Sequence, residues 1–239
     1  VELNDTKHLD PSKVELLCLA NELYQFKSLC DIGGVWGVDG GYSIYAKSVL
    51  GIPDVTLIDS HWTEESRVLC RHSGVEIEEN FFNLSKVVCD QQSWGAVCLF
   101  HFLLHQVSPD WREILRILSN KVTCFLINNP QWIKDKTGFR LLDLGVENYF
   151  SFVPHDKSDP SYKKILESPF EIDEFHQKAN RDLHHIWQWA ITNDDLIDCM
   201  KALGFHLVYM RPSGVWDHNE NFQDFGFIFE KTNEPRCRN

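Results

Sequence analysis

Asp31 ends an apolar run, SLCDIGG, and glycines follow it at 33, 34, 37, 40 and 41 before the stretch YSIYAKSVLG. Glycine reaches positive φ and lets a backbone approach a ligand closely. A helix opening after such a turn offers unpaired N–H groups to a polar ligand. Asp59 ends the next apolar run, VTLID, with Ser60 behind it. A carboxylate at that strand end accepts hydrogen bonds from both hydroxyls of a ribose. Histidines supply the other chemistry: His101 at the end of WGAVCLFHF, His105 four residues on, and His185 in HHIWQWA. An imidazole titrates near neutral pH and suits a general base. Two histidines four apart share a helix face and a metal ion. His101 and His105 straddle a strand end, however, so no metal set is expected.

These residues need rigid elements to position them. SLCDIGG (28–34), VTLID (55–59), VEIEENFF (75–82), WGAVCLFHF (94–102) and KVTCFLIN (121–128) read as strands, several of them continuously apolar as buried parallel strands are. YSIYAKSVLG, EESRVLCRHSG and PDWREILRILSN lie between them as helices. Ser108 is expected to cap the last of these, with Pro109 at its first position. TNDDLIDCMKALGF (192–205) reads as a helix capped by Thr192 or Asn193, with Gly204 at its end. FHLVYMR and FGFIFEK then form a terminal hairpin. The expected fold is α/β: a doubly wound, mostly parallel seven-stranded sheet with an antiparallel C-terminal hairpin strand and helices on both faces. Residues 1–27 form an N-terminal helical segment of this one domain. The proline-rich stretch 129–185 reads as an insertion, a lid over the carboxyl edge where open α/β sheets bind ligands. In HQKANRDLHHIWQWAITNDDL, helical spacing would set His185 and Trp189 on one face, either lining a substrate pocket or packing on the sheet.

No frame across 33–41 supplies G-x-G-x-x-G, and no G-K-[ST] follows, which excludes a dinucleotide fingerprint and a P-loop. DIGGVWG instead resembles the first motif, D/E-x-G-x-G-x-G, of the class I S-adenosylmethionine-dependent methyltransferases. The resemblance spans roughly residues 28–128 and 190–231. It implies S-adenosylmethionine as cofactor, with Asp31, Gly33, Gly34 and Gly37 around its amino-acid end and Asp59 and Ser60 at its ribose. Asn80 and Phe81 match the third motif, which meets the adenine. Val35 departs from the pattern: it replaces the middle glycine, and its Cβ is expected to crowd the ligand. LLHQVSPDWREILRIL is similar to the L-H-D-W-S-D-E segment of small-molecule O-methyltransferases, which implies that His105 is the base. Gln106 and Val107 replace the Asp and Trp of that segment.

Composition narrows the partners. The 239 residues carry a net charge of -12 and no Lys/Arg-rich run, so a small-molecule substrate is expected and nucleic acid is not. No apolar run reaches bilayer length, and the start lacks the apolar core of a secretory signal. The 8 cysteines form no C-x-x-C pair and sit mostly in apolar runs, as in a reduced, cytoplasmic protein. Aromatics of the insertion could also cover a homodimer partner. The expected activity is methyl transfer to an oxygen or nitrogen of a small molecule. The rivals are a methyltransferase fold that uses the cofactor without transferring methyl, and a scaffold that has lost it.

Overall fold

The computed structural model describes residues 9–79, 93–158, 160–174, 176–216 and 219–232. Asn80 and Phe81, the expected adenine contacts, lie outside them. Seven strands form one sheet: β1 (Ser28–Ile32), β2 (Asp54–Asp59), β3 (Glu76–Glu79), β4 (Trp94–Phe100), β5 (Val122–Trp132), β6 (Phe205–Trp216) and β7 (Asn219–Lys231), in the order β6-β7-β5-β4-β1-β2-β3. β1 to β5 are mutually parallel, β7 runs antiparallel to β5, and β6 antiparallel to β7. The expected sheet and its terminal hairpin are thus present.

Alternation along the central strands builds two cores. Leu29, Cys98 and Leu126 point to one face, covered by α1 (Pro11–Tyr24), α2 (Gly41–Ser48) and α3 (Glu64–His72). Cys30, Val97, Leu99 and Phe125 point to the other, covered by α4 (Trp111–Ser119) and α7 (Asn193–Ala202). Burial on both faces is why these strands read as unbroken apolar runs.

Caps set the helix starts. The Asp10 carboxylate accepts from Ser12 N at 2.8 Å, with Pro11 at the first position of α1. Thr63 and Ser66 form a reciprocal capping box on α3. Thr192, rather than Asn193, caps α7, its Oγ1 accepting from Asp195 N at 3.0 Å. Gly204 takes φ +82 just beyond the end of that helix. The expected cap on α4 is corrected. Asp110 accepts from Glu113 N at 2.9 Å, so the helix opens at Trp111, and Ser108-Pro109 precede it as a turn. A carboxylate outcompetes a hydroxyl two residues earlier because its charge also meets the helix's positive end.

The insertion differs from the expected 129–185 at its start. β5 runs on to Trp132 because β7 keeps pairing with it there, after its last β4 partner at Asn128. Pro130 is tolerated in this stretch, where β5 has lost its neighbour on the β4 side. Beyond it lie α5 (Val146–Phe152), α6 (Lys163–Glu167) and two short ribbons, Phe139–Arg140 with Trp189–Ala190 and Ile172–Asp173 with Lys178–Ala179. They share an aromatic core of Trp132, Tyr149, Tyr162, Trp187 and Phe222, fastened to the ends of β5 and β7. The helical face expected for His185 and Trp189 is not formed. Gln188 N donates to Leu104 O at 3.0 Å and Leu141 N to Gln188 O at 2.9 Å, so cross-chain bonds hold this segment extended.

Candidate functional site

Sheet order reverses between β1 and β4, where the carboxyl ends of adjacent strands diverge and open α/β sheets bind ligands. The glycine turn sits there. Gly33 takes φ +81, and its N–H donates to Ile58 O at 2.9 Å, tying the turn to β2. A Cβ on Gly33 would meet the Phe102 ring at 2.7 Å, and one on Gly34 would collide with the Asp31 carboxylate. Gly37 and Gly40 also have positive φ, at +76 and +82. Open space surrounds the position of a Cβ on Gly37, whereas one on Gly40 would lie 2.6 Å from Cys70 Sγ. Only glycine lets the loop come this close to Asp31, β2 and α3 and still enter α2.

Val35, the residue expected to crowd the ligand, is drawn into the core. Its side chain is 2% exposed and packs in the core with Tyr42 and Phe100, while its N–H points to Asp59 Oδ2 at 2.9 Å. Burial of this side chain and the bond from its N–H anchor the loop. Its neighbour Trp36 stands 86% exposed.

Two buried carboxylates flank the turn. Asp59 takes the Val35 N–H on one oxygen and the His61 N–H on the other at 2.8 Å. A carboxylate has about four acceptor sites, so capacity remains for ribose hydroxyls. Asp31 is 1% exposed, and its pKa is pushed up to about 7. Burial is the main cause, and the nearby Asp59 charge adds to it. The Ser43 hydroxyl, donating at 2.8 Å, and the Lys13 charge pull the other way. Ser60, beside Asp59, bonds His61 Nδ1 at 2.8 Å.

The histidines separate into different roles. His101 follows β4 with φ +51, a strained value for a non-glycine residue, and its N–H donates to Asn128 O at 2.7 Å. Its Nε2 lies 3.4 Å from Asp224 Oδ1 on β7. His105 turns away into the insertion, where Nδ1 meets Ile186 O at 2.8 Å. Burial is the main cause that lowers its pKa to about 4, with the neighbouring histidines adding to it. His185 is exposed on the insertion. Trp187 and Trp189 are packing residues. Trp187 is buried against Phe222, ring centroids 4.9 Å apart, and Trp189 Nε1 donates to Gln106 O at 2.6 Å.

Four further residues belong to this edge and escaped the sequence reading. Ser43 lay inside the glycine motif as a possible donor. Asn128 ends the fifth apolar run, a polar residue where a buried strand meets the ligand edge. It is fully buried, its amide donates to Ser213 Oγ at 2.9 Å, and its Oδ1 has no hydrogen-bond partner among the described residues. Such an acceptor suits a ligand N–H or O–H. Asp224 and Lys13 carried no local signal. Lys13 reaches from α1 into the fields of Asp224 and Asp31, and burial lowers its pKa against them. The donor set, acids beside the glycine turn and an amide on β5 level with the end of β4, fits a cationic, ribose-bearing cofactor.

No protein-family model matches the chain, and no curated protein matches it in sequence. Solved structures match its fold. The N-terminal domain of EvdMO1, crystallised with S-adenosylhomocysteine and D-fucose, superposes with TM-score 0.56 and 11% identity over 95% of this chain and 84% of that one. The Burkholderia thailandensis 1,6-didemethyltoxoflavin-N1-methyltransferase, with bound 1,6-didemethyltoxoflavin and S-adenosylhomocysteine, gives 0.57 and 12% over 94% and 80%. The Synechocystis magnesium protoporphyrin IX methyltransferase with S-adenosylhomocysteine gives 0.54 and 8% over 93% and 83%. The fold is that of the class I methyltransferases.

Proposed function

We propose that this protein is an S-adenosylmethionine-dependent methyltransferase acting on an oxygen or nitrogen of a small molecule. The observation that carries this reading is the pairing of the glycine turn with two buried carboxylates, Asp31 and Asp59, at the sheet's switch point. The S-adenosylhomocysteine of the superposed structures supports it.

Bound there, S-adenosylmethionine supplies a methyl group on a positively charged sulfur. Asp59 holds the ribose hydroxyls while its bonds to Val35 N and His61 N keep the loop in place. Asp31 ionises to meet the amino group. Asn128 Oδ1 accepts a ligand hydrogen. Alignment of an acceptor with the methyl group and exclusion of water do most of the catalytic work, and the insertion provides the closing wall. His101, at the end of β4 and steadied by Asp224, takes the proton of the acceptor group. His105, its pKa lowered and its Nδ1 committed to Ile186, secures the insertion. His185, exposed on the insertion, is the second imidazole offered as proton acceptor.

The test is a screen of phenols, sugars, carboxylic acids and heteroaromatic amines with S-adenosylmethionine, read by product mass. Products heavier by one methyl group, lost on His101→Gln, support the reading. Cofactor binding without any methylated product across the panel favours a protein that holds the cofactor without transferring methyl.

A further inference from the structure

We propose that His61, His176 and His184 form a site for a divalent transition-metal ion of the zinc class, which clasps the insertion onto the sheet edge beside the cofactor loop. The three side chains converge from separate parts of the chain. His61 follows β2, two residues after Asp59. His176 lies in the turn between Ile172–Asp173 and Lys178–Ala179, where Gln177 takes φ +54. His184 follows the 3₁₀ turn Asn180–Asp182. One ring nitrogen from each lies within 4.8 Å of the others. Ring centroids are 5.0 Å apart for His61 and His184, and 5.2 Å for His176 and His184.

The donor chemistry selects the ion. Neutral imidazole suits zinc, copper, nickel and iron, whereas magnesium and calcium require oxygen. Bonds of about 2.0–2.1 Å in a tetrahedron place ligand nitrogens about 3.4 Å apart, so side-chain rotations of about an ångström close the set around an ion. Three ligands leave one position for water, and exposed His61 gives the ion a way in.

The surroundings resemble those of a built site. His176 Nδ1 lies 2.8 Å from Asp173 Oδ1, the carboxylate–histidine pair that fixes the proton on Nδ1 and presents Nε2 as a ligand. Asp173 is itself buried and held by the His176 N–H at 3.0 Å and the Lys164 ammonium at 2.6 Å. Ser60 Oγ orients His61 in the same way, 2.8 Å from Nδ1.

This site does not depend on methyl transfer, and its test keeps the two readings apart. The full chain, stripped with EDTA and checked for fold by circular dichroism, is titrated with Co(II) by visible absorption and with Zn(II) by calorimetry. One equivalent is expected, with the intense visible bands of four- or five-coordinate cobalt. His61→Ala, which empties no core, and His176→Ala should each weaken Zn(II) at least 100-fold. Asp173→Asn should weaken it about 10–100-fold. His206→Ala, exposed on the outer strand β6, should leave it unchanged. Asp31→Asn, which leaves the Asp59 bond to His61 N in place, should weaken S-adenosylhomocysteine yet retain the metal. Absence of binding by the folded wild type, or wild-type affinity in His61→Ala and His176→Ala, overturns the proposal.

Discussion

Asp31 is the residue whose chemistry depends most on its surroundings. Its carboxyl holds a proton up to about pH 7 because it is buried. A folded-state pKa above the ordinary 3.8 means that its contribution to stability is complete below pH 4 and is lost as pH rises through 7. A ligand ammonium favours the ionised form, so binding at this site releases a proton. S-adenosylhomocysteine affinity should therefore rise toward ~tenfold per unit as pH climbs to 7, then level off. Asp31→Asn should flatten that profile in calorimetry at several pH values. An unchanged profile would remove Asp31 from the ligand's amino end. His101 is the second test at this scale. With an acceptor in hand, His101→Gln should lower kcat by about 10²–10⁴ and leave cofactor affinity unchanged, whereas an unaltered kcat would exclude it as the base. Asp31 and Asp59 were legible because each ends an apolar run. Asp224 was not, since its meeting with His101 depends on β7 returning antiparallel beside β5, a pairing that no local pattern records.

At the scale of elements, the turn into α2 concentrates the conformational demand. Gly40 has φ +82 with Cys70 Sγ and Leu57 Cδ2 beside the place of a Cβ. Gly40→Ala combines left-handed strain of about 1–2 kcal/mol with overpacking of about 1–3 kcal/mol. For a chain of this size each kcal/mol lowers Tm by about 2–4 °C, so thermal unfolding should show a loss of several degrees. Gly37→Ala, with open space around it, should lose only the strain. The insertion offers a different test. His105 ties it to the 3₁₀ turn Leu103–His105 after β4 through Ile186 O, so His105→Ala should speed amide exchange around residues 183–190 and leave β1 and β4 protected. Equal exchange in both proteins would make His105 dispensable as a tether. Period and capping residues made the sheet and its helices readable. The stretch 176–191 misled because its aromatic spacing suits a helix, while its backbone bonds go to Leu104 and Leu141.

On the scale of the whole molecule, a two-faced core holds the sheet and a third, aromatic core fastens the insertion to the ends of β5 and β7. No helix among the described residues is long and apolar enough to cross a membrane. The mostly parallel seven-stranded sheet and its terminal hairpin were readable from strands alternating with helices, whereas the place of the hairpin beside β5 was not. The three-histidine clasp was not, because His61 and His184 meet only once the insertion has folded back. The most direct measurement is calorimetric titration of the protein with S-adenosylmethionine and S-adenosylhomocysteine, beside Asp59→Ala and Asp59→Asn. Micromolar binding of both ligands is expected, weakened at least 100-fold, about 2.8 kcal/mol, by Asp59→Ala and by a smaller factor in Asp59→Asn, which keeps one acceptor. Failure of the folded protein to bind either ligand, or binding indifferent to Asp59, would contradict the account.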